Sequence, residues 1–456
     1  MTEREAPPTQ RKRKASSVRH TRAIERDRSK RPATAPPDEQ VEQRLGDIIQ
    51  PATYAQVSYF WDLGLRERTL TLPVMMALVL SMIWRQISSV GEVVRTVRTQ
   101  SLLWVTPRKL TQQAVSQRLD SLPAALFQRV FDHILPEMRQ RWIARQRPLP
   151  PEAAWAQARY TQVVICDGST LDALVRRLGL LRDLVIHPLA GRITALLELG
   201  SRLPLQVWFE EDAQAHDLAF WPRILSGVPA GALLIFDLGY TNFGHFADLT
   251  ARQITFLTRA KKNLAWQVER VLHTSASVHD TLVWIGPAEN RQLVRLIEVL
   301  DRGLWYRYLT NERDDQRLPA AIAVALYGQR WRIEDAYATV KRLLGLAYFW
   351  SGSQNTIQLQ LWATWILYAV LVDLTDAVAE QLHQPFAALS MEMVYRGLYH
   401  FTSVSAHGET TDGVDVVTFL AENAQWLGVL KRNRRPKRPQ PAEDALDRFM
   451  QSLTCD

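Results

Sequence analysis

Apolar residues follow two kinds of pattern along the chain, and the changes between them predict its organisation. From about residue 41 to 150 they recur at helical spacing, as in LTQQAVSQRLDSLPAALFQRVFDHIL, with breaks at Pro107 and Pro123. From about residue 160, short apolar runs that suit buried strands alternate with helical segments. Beyond residue 351 the helical pattern returns. The pattern predicts an α/β layer between two helical regions.

Within the central segment, two apolar runs share one form. TQVVICDGST (Thr161–Thr170) and GALLIFDLGY (Gly231–Tyr240) are both strand-like and carry an acid and a glycine near the end. The pair GRITALLELG and RLPLQVWFEED predicts a hairpin that turns at Gly200 and Ser201. The segments up to about residue 312 favour further strands, and a long helix is expected to begin near Pro319.

Length and composition place the chain among multidomain globular proteins. At 456 residues it is too long for one compact core, and a 47% hydrophobic, 22% charged composition is ordinary for such proteins. The two longest apolar runs, Leu72–Trp84 and Leu361–Val372, are shorter than the roughly 20 residues that a spanning helix needs. We expect both to be buried core helices, and neither a membrane role nor a secretory signal is indicated.

The charge balance points to a polyanionic partner. The formal net charge is +8 and the pI about 9.5, which favours nucleic acid. Residues 1–40 predict a disordered basic arm, which would either solubilise the chain or contact phosphates, and residues 431–456 predict a basic tail. Cys166 and Cys455 match no zinc or disulfide spacing, as expected for a protein of the reducing cytoplasm.

Two aspartates stand where ligands bind in open α/β sheets. Asp167 and Asp237 each follow an apolar run and precede a glycine, Gly168 directly and Gly239 after one residue. Acids at strand ends of this kind line ligand sites. The alternative is that each is a turn or helix-cap residue, for which aspartate is equally suited.

A third acid lies on the predicted helix. At about 100° per residue, Tyr327, Arg330, Glu334 and Lys341 share one stripe with Trp331 at its edge. The adjacent stripe is apolar, and we assign Tyr337 to it. The pattern fits either an amphipathic helix with a surface charge network or a helix that presents Glu334 to a ligand.

Taken together, two aspartates and a helical glutamate form a donor set that two Mg²⁺ ions can use. Hard divalent cations prefer carboxylate oxygens, and two such ions can clamp the attacking and leaving oxygens at phosphorus. Arg330 and Lys341 would then contact DNA phosphates.

These residues resemble a known family. The spacing of Tyr327, Arg330, Glu334 and Lys341, with two, three and six residues between them, is similar to the signature of the insertion-sequence-four group of DDE transposases. RWRIE, DGST, DLGY, FLTRAKKN and YLTN resemble the blocks of that family in the expected order. The resemblance extends over about residues 160–350.

The resemblance implies a ribonuclease-H-like catalytic domain, a mixed sheet with flanking helices, over residues 155–350. Asp167, Asp237 and Glu334 would be both the catalytic and the metal-binding residues, with two Mg²⁺ ions as cofactor, for which Mn²⁺ can substitute. The long interval between Asp237 and Glu334 would hold a β-rich insertion at about 262–312.

In family members that cut DNA through a hairpin, a tryptophan of this insertion stacks on a flipped base. Here the candidates are Trp266, Trp284 and Trp305, of which Trp305 is favoured, although each could instead be a core residue. Trp331 and Tyr327 would brace the flipped end or simply pack.

The sequence departs from the family at two positions. Leu238 stands where many relatives have a basic residue, which weakens one expected phosphate contact. Ala338 stands where some relatives have a further lysine, which leaves Lys341 as the lysine of that stripe.

The function implied is that of a cut-and-paste DNA transposase. It would bind double-stranded DNA, both terminal inverted repeats and target, as a homodimer in the DNA complex, in the cytoplasm and on the nucleoid. Residues 41–150 would read the ends or dimerise, and the helical region at 351–430 would take the other role. The alternatives are a catalytically silent DNA-binding relic and a ribonuclease-H-like nuclease without strand transfer.

Overall fold

The computed structural model describes residues 34–66, 68–171, 191–212, 216–301, 303–346, 350, 353–407 and 414–431. The predicted basic arm at 1–40 and basic tail at 431–456 therefore lie almost wholly outside the described residues, as does Cys455. The last part of the predicted arm is described, and there Ala35 is already buried.

In the described part of the chain, seven α-helices precede the first strand. They are α1 (Glu39–Tyr54), α2 (Val57–Asp62), α3 (Leu72–Trp84), α4 (Val90–Thr99), α5 (Gln112–Ser121), α6 (Ala125–Ala144) and α7 (Pro151–Gln157). Side-chain oxygens cap several of them. Asp38 accepts from the Val41 amide at 3.0 Å, and Thr111 accepts from the Ala114 amide at 3.1 Å.

A nine-stranded mixed sheet forms the centre of the molecule. Its strands are β1 (Val163–Leu171), β2 (Gly191–Glu198), β3 (Pro204–Glu210), β4 (Leu233–Phe236), β5 (Thr255–Arg259), β6 (Trp266–Thr274), β7 (Val278–Ile285), β8 (Gln292–Asp301) and β9 (Leu304–Thr310). They lie in the order β3-β2-β1-β4-β5-β9-β8-β7-β6. β1, β4 and β5 run parallel, and the other neighbours are antiparallel. The predicted β2–β3 hairpin is confirmed.

The strands predicted between residues 262 and 312 continue this sheet. β9 pairs with β5, and β8, β7 and β6 follow outward. Two helices, α8 (Trp221–Gly227) and α9 (Phe243–Ala251), lie in the connections before β4 and β5. Alternate side chains such as Leu234, Phe256 and Leu309 are buried together in one apolar cluster against these connections.

The helical path predicted from Pro319 is present but is not one regular helix. It consists of α10 (Ala320–Gly328), a 3₁₀ turn (Gln329–Trp331), α11 (Arg332–Ala338) and a π-helical turn (Thr339–Leu343). In the last turn the Leu344 amide donates to the Thr339 carbonyl at 2.9 Å, five residues back. Local over- and underwinding of this kind is frequent at functional sites, and it changes which side chains share a face.

The helix α12 (Gln354–Gln381) is the centre of the helical core. It packs against α3, α5 and α6 and against the following α13 (Met391–Ala406) and α14 (Val416–Glu422). Its length and composition would allow it to cross a membrane, in contrast to the expectation from its apolar run alone. Nearly all of its apolar part is buried inside the protein, so it is a core helix.

One buried ion pair anchors the outer strands, and it generates the first prediction. The Arg295 guanidinium donates to both carboxylate oxygens of Asp280, at 2.7 and 2.5 Å, and to the Leu318 carbonyl at 2.7 Å. Asp280→Ala would leave Arg295 buried without its counter-charge and should lower the free energy of unfolding by about 3–5 kcal/mol. Urea denaturation measures this, with exposed Asp62→Ala as the control. Losses of equal size in the two variants would contradict the argument.

A second prediction concerns pH and the N-terminal helices. Burial of Glu42 on α1 raises the pKa of its carboxyl to about 7, although the Arg85 guanidinium nearby lowers it. The folded state thus holds a proton that the unfolded state releases, so stability declines as pH rises from about 4.5 through 7. Glu42→Gln should be more stable than the wild type at pH 8 and gain little at pH 5 in urea denaturation. Exposed Glu39→Gln is the control, and equal effects of Glu42→Gln at both pH values would refute the assignment.

Candidate active site

The register of two parallel strands places the two predicted aspartates side by side. β1 pairs with β4 as far as Cys166 opposite Phe236, and Asp167 and Asp237 are the next residues. β4 ends at that point, whereas β1 continues to Leu171 because it still pairs with β2. Asp167 therefore lies within a strand rather than after its end, at the position where β1 loses its parallel neighbour.

Arg330 connects the first aspartate to the helical glutamate. Its guanidinium donates to Asp167 Oδ2 at 2.8 Å and to Glu334 Oε1 at 3.4 Å. The Arg330 side chain is 8% exposed, while Glu334 is 42% exposed. The 3₁₀ turn that holds Arg330 and helix α11 that holds Glu334 are thus tied to the end of the β1–β4 pair.

The tyrosine of the signature faces the other aspartate. The Tyr327 hydroxyl donates to Asp237 Oδ1 at 3.4 Å, a long hydrogen bond, and the Tyr327 ring packs edge-on against Tyr308 at 5.2 Å. Tyr327 is buried, so its ring also forms part of the core.

The lysine of the signature reaches the far end of β1. Lys341 Nζ donates to Ser169 Oγ at 2.6 Å and to the Thr170 carbonyl. It therefore joins the π-helical turn to the strand that carries Asp167. All four signature residues lie within this one network around the strand ends.

Burial and mutual repulsion shift the acid–base properties of the carboxyls. Burial raises the pKa of Asp167 to about 6, even though the Arg330 guanidinium lowers it, and the charges of Asp237 and Glu334 add to the rise. Burial likewise raises the pKa of Glu334. Burial lowers the pKa of Arg330, but the three carboxylates outweigh it and the net direction is upward. Additional positive charge nearby would therefore stabilise the charged forms of Asp167 and Glu334.

The donor set fits a hard divalent cation, although the side chains are not arranged around one. Within the described ranges no three acidic, histidine or cysteine side chains converge closely enough to hold a metal ion. Arg330 lies between Asp167 and Glu334 and supplies the cationic partner. The carboxylate oxygens are the ligands that Mg²⁺ and Mn²⁺ prefer, and they come from three separate segments of the chain. A cation would need the Arg330 side chain to move aside.

The tryptophans predicted to face DNA differ in their surroundings. Trp331 is 62% exposed, next to the Arg330 guanidinium at 5.3 Å from its ring. Trp305 on β9 is 39% exposed and stacks on the His279 ring at 4.4 Å. Arginines lie over the rings of the other two candidates, Arg307 over Trp266 and Arg291 over Trp284.

Two side chains of the network were not identified from the sequence. The Tyr337 hydroxyl donates to the Asp167 carbonyl at 2.7 Å, and Ser169 accepts from Lys341. The helical periodicity assigns Tyr337 to the apolar stripe, which is correct for its ring because that ring packs against Trp365. Tyr337 lies three residues after Glu334, one turn along the helix, but only the contact of α11 with β1 brings its hydroxyl to the Asp167 carbonyl.

Comparisons with known proteins point to one family. Residues 190–370 match the family model described as a transposase DDE domain. A protein of Sinorhizobium fredii named "Putative transposase y4zB" is 30% identical over 171 residues, which are 35% of this chain and 47% of that protein. The match thus spans about half of the length of the curated relative. The range of the family model includes Asp237 and Glu334, whereas Asp167 precedes it.

The bond from Tyr337 generates a prediction about the support of the site. Tyr337→Phe removes the hydroxyl that donates to the Asp167 carbonyl, so this carbonyl loses that hydrogen bond. The loss should lower the free energy of unfolding by about 1–3 kcal/mol. Urea denaturation measures the loss, with the less buried Tyr399→Phe as the matched control. An unchanged stability in Tyr337→Phe would show that the bond does not hold Asp167.

Proposed function

We propose that this chain, which matches the transposase DDE domain over residues 190–370, is a cut-and-paste DNA transposase with a ribonuclease-H-like catalytic core. It binds the terminal inverted repeats of an element, cleaves the DNA at both ends, and joins the 3′-hydroxyl ends to target DNA. The observation that carries the proposal is that Arg330 bonds to both Asp167 and Glu334, while the β1–β4 register places Asp237 beside Asp167. Asp237 and Glu334 lie within the matched range.

In this proposal Asp167, Asp237 and Glu334 hold two Mg²⁺ ions, for which Mn²⁺ can substitute. The bound ions supply charge stabilisation for the in-line displacement at phosphorus and activation of the attacking hydroxyl. Burial raises the pKa of Asp167 to about 6, so the charged form of this carboxyl is less favoured than in water, and a bound cation would favour that charged form.

Arg330 acts as an internal counter-charge and as a phosphate ligand. While it bonds to Asp167 and Glu334, it offsets the repulsion among the carboxylates. When it turns away from them, its planar fork can hold a DNA phosphate with two parallel hydrogen bonds. Tyr327 orients Asp237, and Lys341 fixes the end of β1 and presents its charge on the same side.

Aromatic groups near the site suit an unpaired base. Trp305 has one face on His279 and is 39% exposed, so its other side can accept a flipped base. Trp331, more exposed and beside Arg330, braces the DNA end. Stacking of a base on an aromatic ring contributes about 1–3 kcal/mol, which offsets part of the cost of flipping.

The helices at both ends of the chain bind DNA and pair subunits in this scheme. The helix α5 exposes Gln112, Gln113 and Gln117, whose amides are suited to base edges, and Lys109 precedes it. We assign end recognition to residues 41–150 and homodimer contacts in the DNA complex to residues 351–430. The protein would work in the cytoplasm, on the nucleoid when it is bound to DNA.

The test uses the purified protein and a DNA fragment that carries its gene with the native flanks. With Mg²⁺ we expect paired cleavage at the element ends and joined products when target DNA is added. Glu334→Gln should lower the cleavage rate at least roughly 100-fold, the scale for removing one preorganised charged group, and EDTA should abolish cleavage. Glu289→Gln, an exposed acid of the same domain, is the matched control and should cleave normally.

The products separate the proposal from its alternatives. Specific binding to the flanks without cleavage in Mg²⁺ or Mn²⁺ would show that the protein is a catalytically silent DNA-binding relic. Cleavage without joined products would leave a nuclease. Normal cleavage by the Glu334→Gln variant would refute the catalytic role that we assign to Glu334.

A further inference from the structure

A cavity of about 280 Å³ lies behind the helical path that carries Glu334. One wall comes from α11 and the π-helical turn, and the opposite wall comes from α13 and the segment just before it. The charged side chains that line it are Arg202, Asp335, Arg342, Glu392, Arg396 and Lys431. Asp335 faces this cavity, whereas its neighbour Glu334 faces Arg330, so the cavity is separate from the carboxylate site.

The lining carries an excess of positive charge. Four cationic side chains stand against two acids, and one of these acids, Glu392, already forms an ion pair with Arg396 at 2.9 Å. Burial lowers the pKa of Lys431, and the charges of Arg202 and Arg332 lower it further. Cations gathered in a partly buried space repel one another, and a bound anion would relieve that repulsion.

Arg202 is the most deeply placed of these cations. Its guanidinium lies over the Phe386 ring at 4.4 Å, and among the described residues its Nε has no hydrogen-bond partner although it is buried. Its backbone is held in the left-handed region, at φ 62°, by the turn between β2 and β3. Its carbonyl accepts from the Tyr368 hydroxyl at 3.1 Å, which fixes that turn against α12.

Gln86 contributes a second buried polar atom at the same cavity. Its backbone is also left-handed, at φ 58°, and its Oε1 lacks a partner among the described residues. A side-chain amide can present either its oxygen or its NH₂ group after a flip. Two half-buried side chains thus each place a buried polar atom without a hydrogen-bond partner, among the described residues, at one cationic cavity, which is unusual for buried polar atoms.

Lys431 is held in place by the backbone. Its amide donates to the Ala388 carbonyl at 2.9 Å, next to the bridge between Leu389 and Leu430, and its Nζ donates to the Ala387 carbonyl at 2.9 Å. These two bonds hold the Lys431 ammonium at the cavity before any anion binds. Preorganisation of this kind reduces the entropic cost of binding.

We propose that this cavity is a second anion site, which binds a phosphate group between the catalytic segment and the C-terminal helices. The planar guanidinium groups of Arg202 and Arg342 match phosphate oxygens in pairs, Arg396 exchanges part of its pairing with Glu392 for the phosphate, and Lys431 adds a point charge. The volume admits a phosphate together with part of the nucleoside that bears it. The phosphate belongs either to a free mononucleotide or to a DNA backbone. In both cases it joins α11 to α13, and it does so independently of the cleavage function proposed above.

The test measures ligand binding and thermal unfolding of the full chain. Inorganic phosphate should raise the unfolding temperature above that in chloride at equal ionic strength, and thymidine 5′-monophosphate should do the same. In Arg396→Gln and in Lys431→Gln the affinity for phosphate should fall at least about tenfold, as expected when one charged hydrogen-bond donor is lost. Exposed Arg313→Gln is the matched control and should bind as the wild type does.

A short DNA duplex identifies the source of the phosphate. If the site takes DNA, Lys431→Gln lowers the duplex affinity and reduces its salt dependence by about one phosphate contact. If it takes a free nucleotide, the variant loses thymidine 5′-monophosphate binding and keeps duplex binding. The absence of any phosphate-specific stabilisation in the wild type, or its persistence in both variants, would overturn the proposal. Glu334→Gln should keep the effect, so failure of catalysis would not be mistaken for failure of this site.

Discussion

The parallel pairing of β1 with β4 is the constraint on which the candidate site depends. It brings Asp167 and Asp237 together without any side-chain contact between them, because both follow the last paired residues, Cys166 and Phe236. The buried residues on both sides of these strands make a register slip costly, since it would expose apolar side chains. The positions of the two acids are therefore fixed by the core rather than by their own interactions.

Arg330 converts this geometry into a stable arrangement. Acids placed together at the end of buried strands repel one another, and burial makes their charged forms costly. The Arg330 guanidinium bonds to Asp167 and to Glu334 and so offsets part of that cost. These hydrogen bonds can be exchanged for bonds to a DNA phosphate in the proposed function. Arg330, Tyr337 and Lys341 all reach β1 from one short stretch of chain that comprises the 3₁₀ turn, α11 and the π-helical turn.

The sequence was most informative where chemistry and periodicity coincide. The two aspartates after apolar runs, the signature spacing around Glu334 and the β2–β3 hairpin could all be read from local pattern. Three features could not. The extension of β1 beyond Asp167 depends on its pairing with β2, the continuation of one sheet through β9 depends on pairing with β5, and the hydroxyl of Tyr337 depends on where helix α11 meets β1. These are tertiary contacts, which no local pattern encodes. The cationic cavity shares this property, because its lining comes from residues far apart in the chain.

The position of α12 has a consequence for the order of events during synthesis. The helix α3 is buried on every side, and part of its cover is α12, nearly three hundred residues later in the chain. Asn355 at the start of α12 also accepts from the Ala124 amide, and its own amide group donates to the Leu119 and Leu122 carbonyls. The N-terminal helices therefore remain incompletely covered until residue 381 has left the ribosome. Nascent chains of this protein must carry exposed apolar helices for most of their translation, a period in which such surfaces attract chaperones or aggregate.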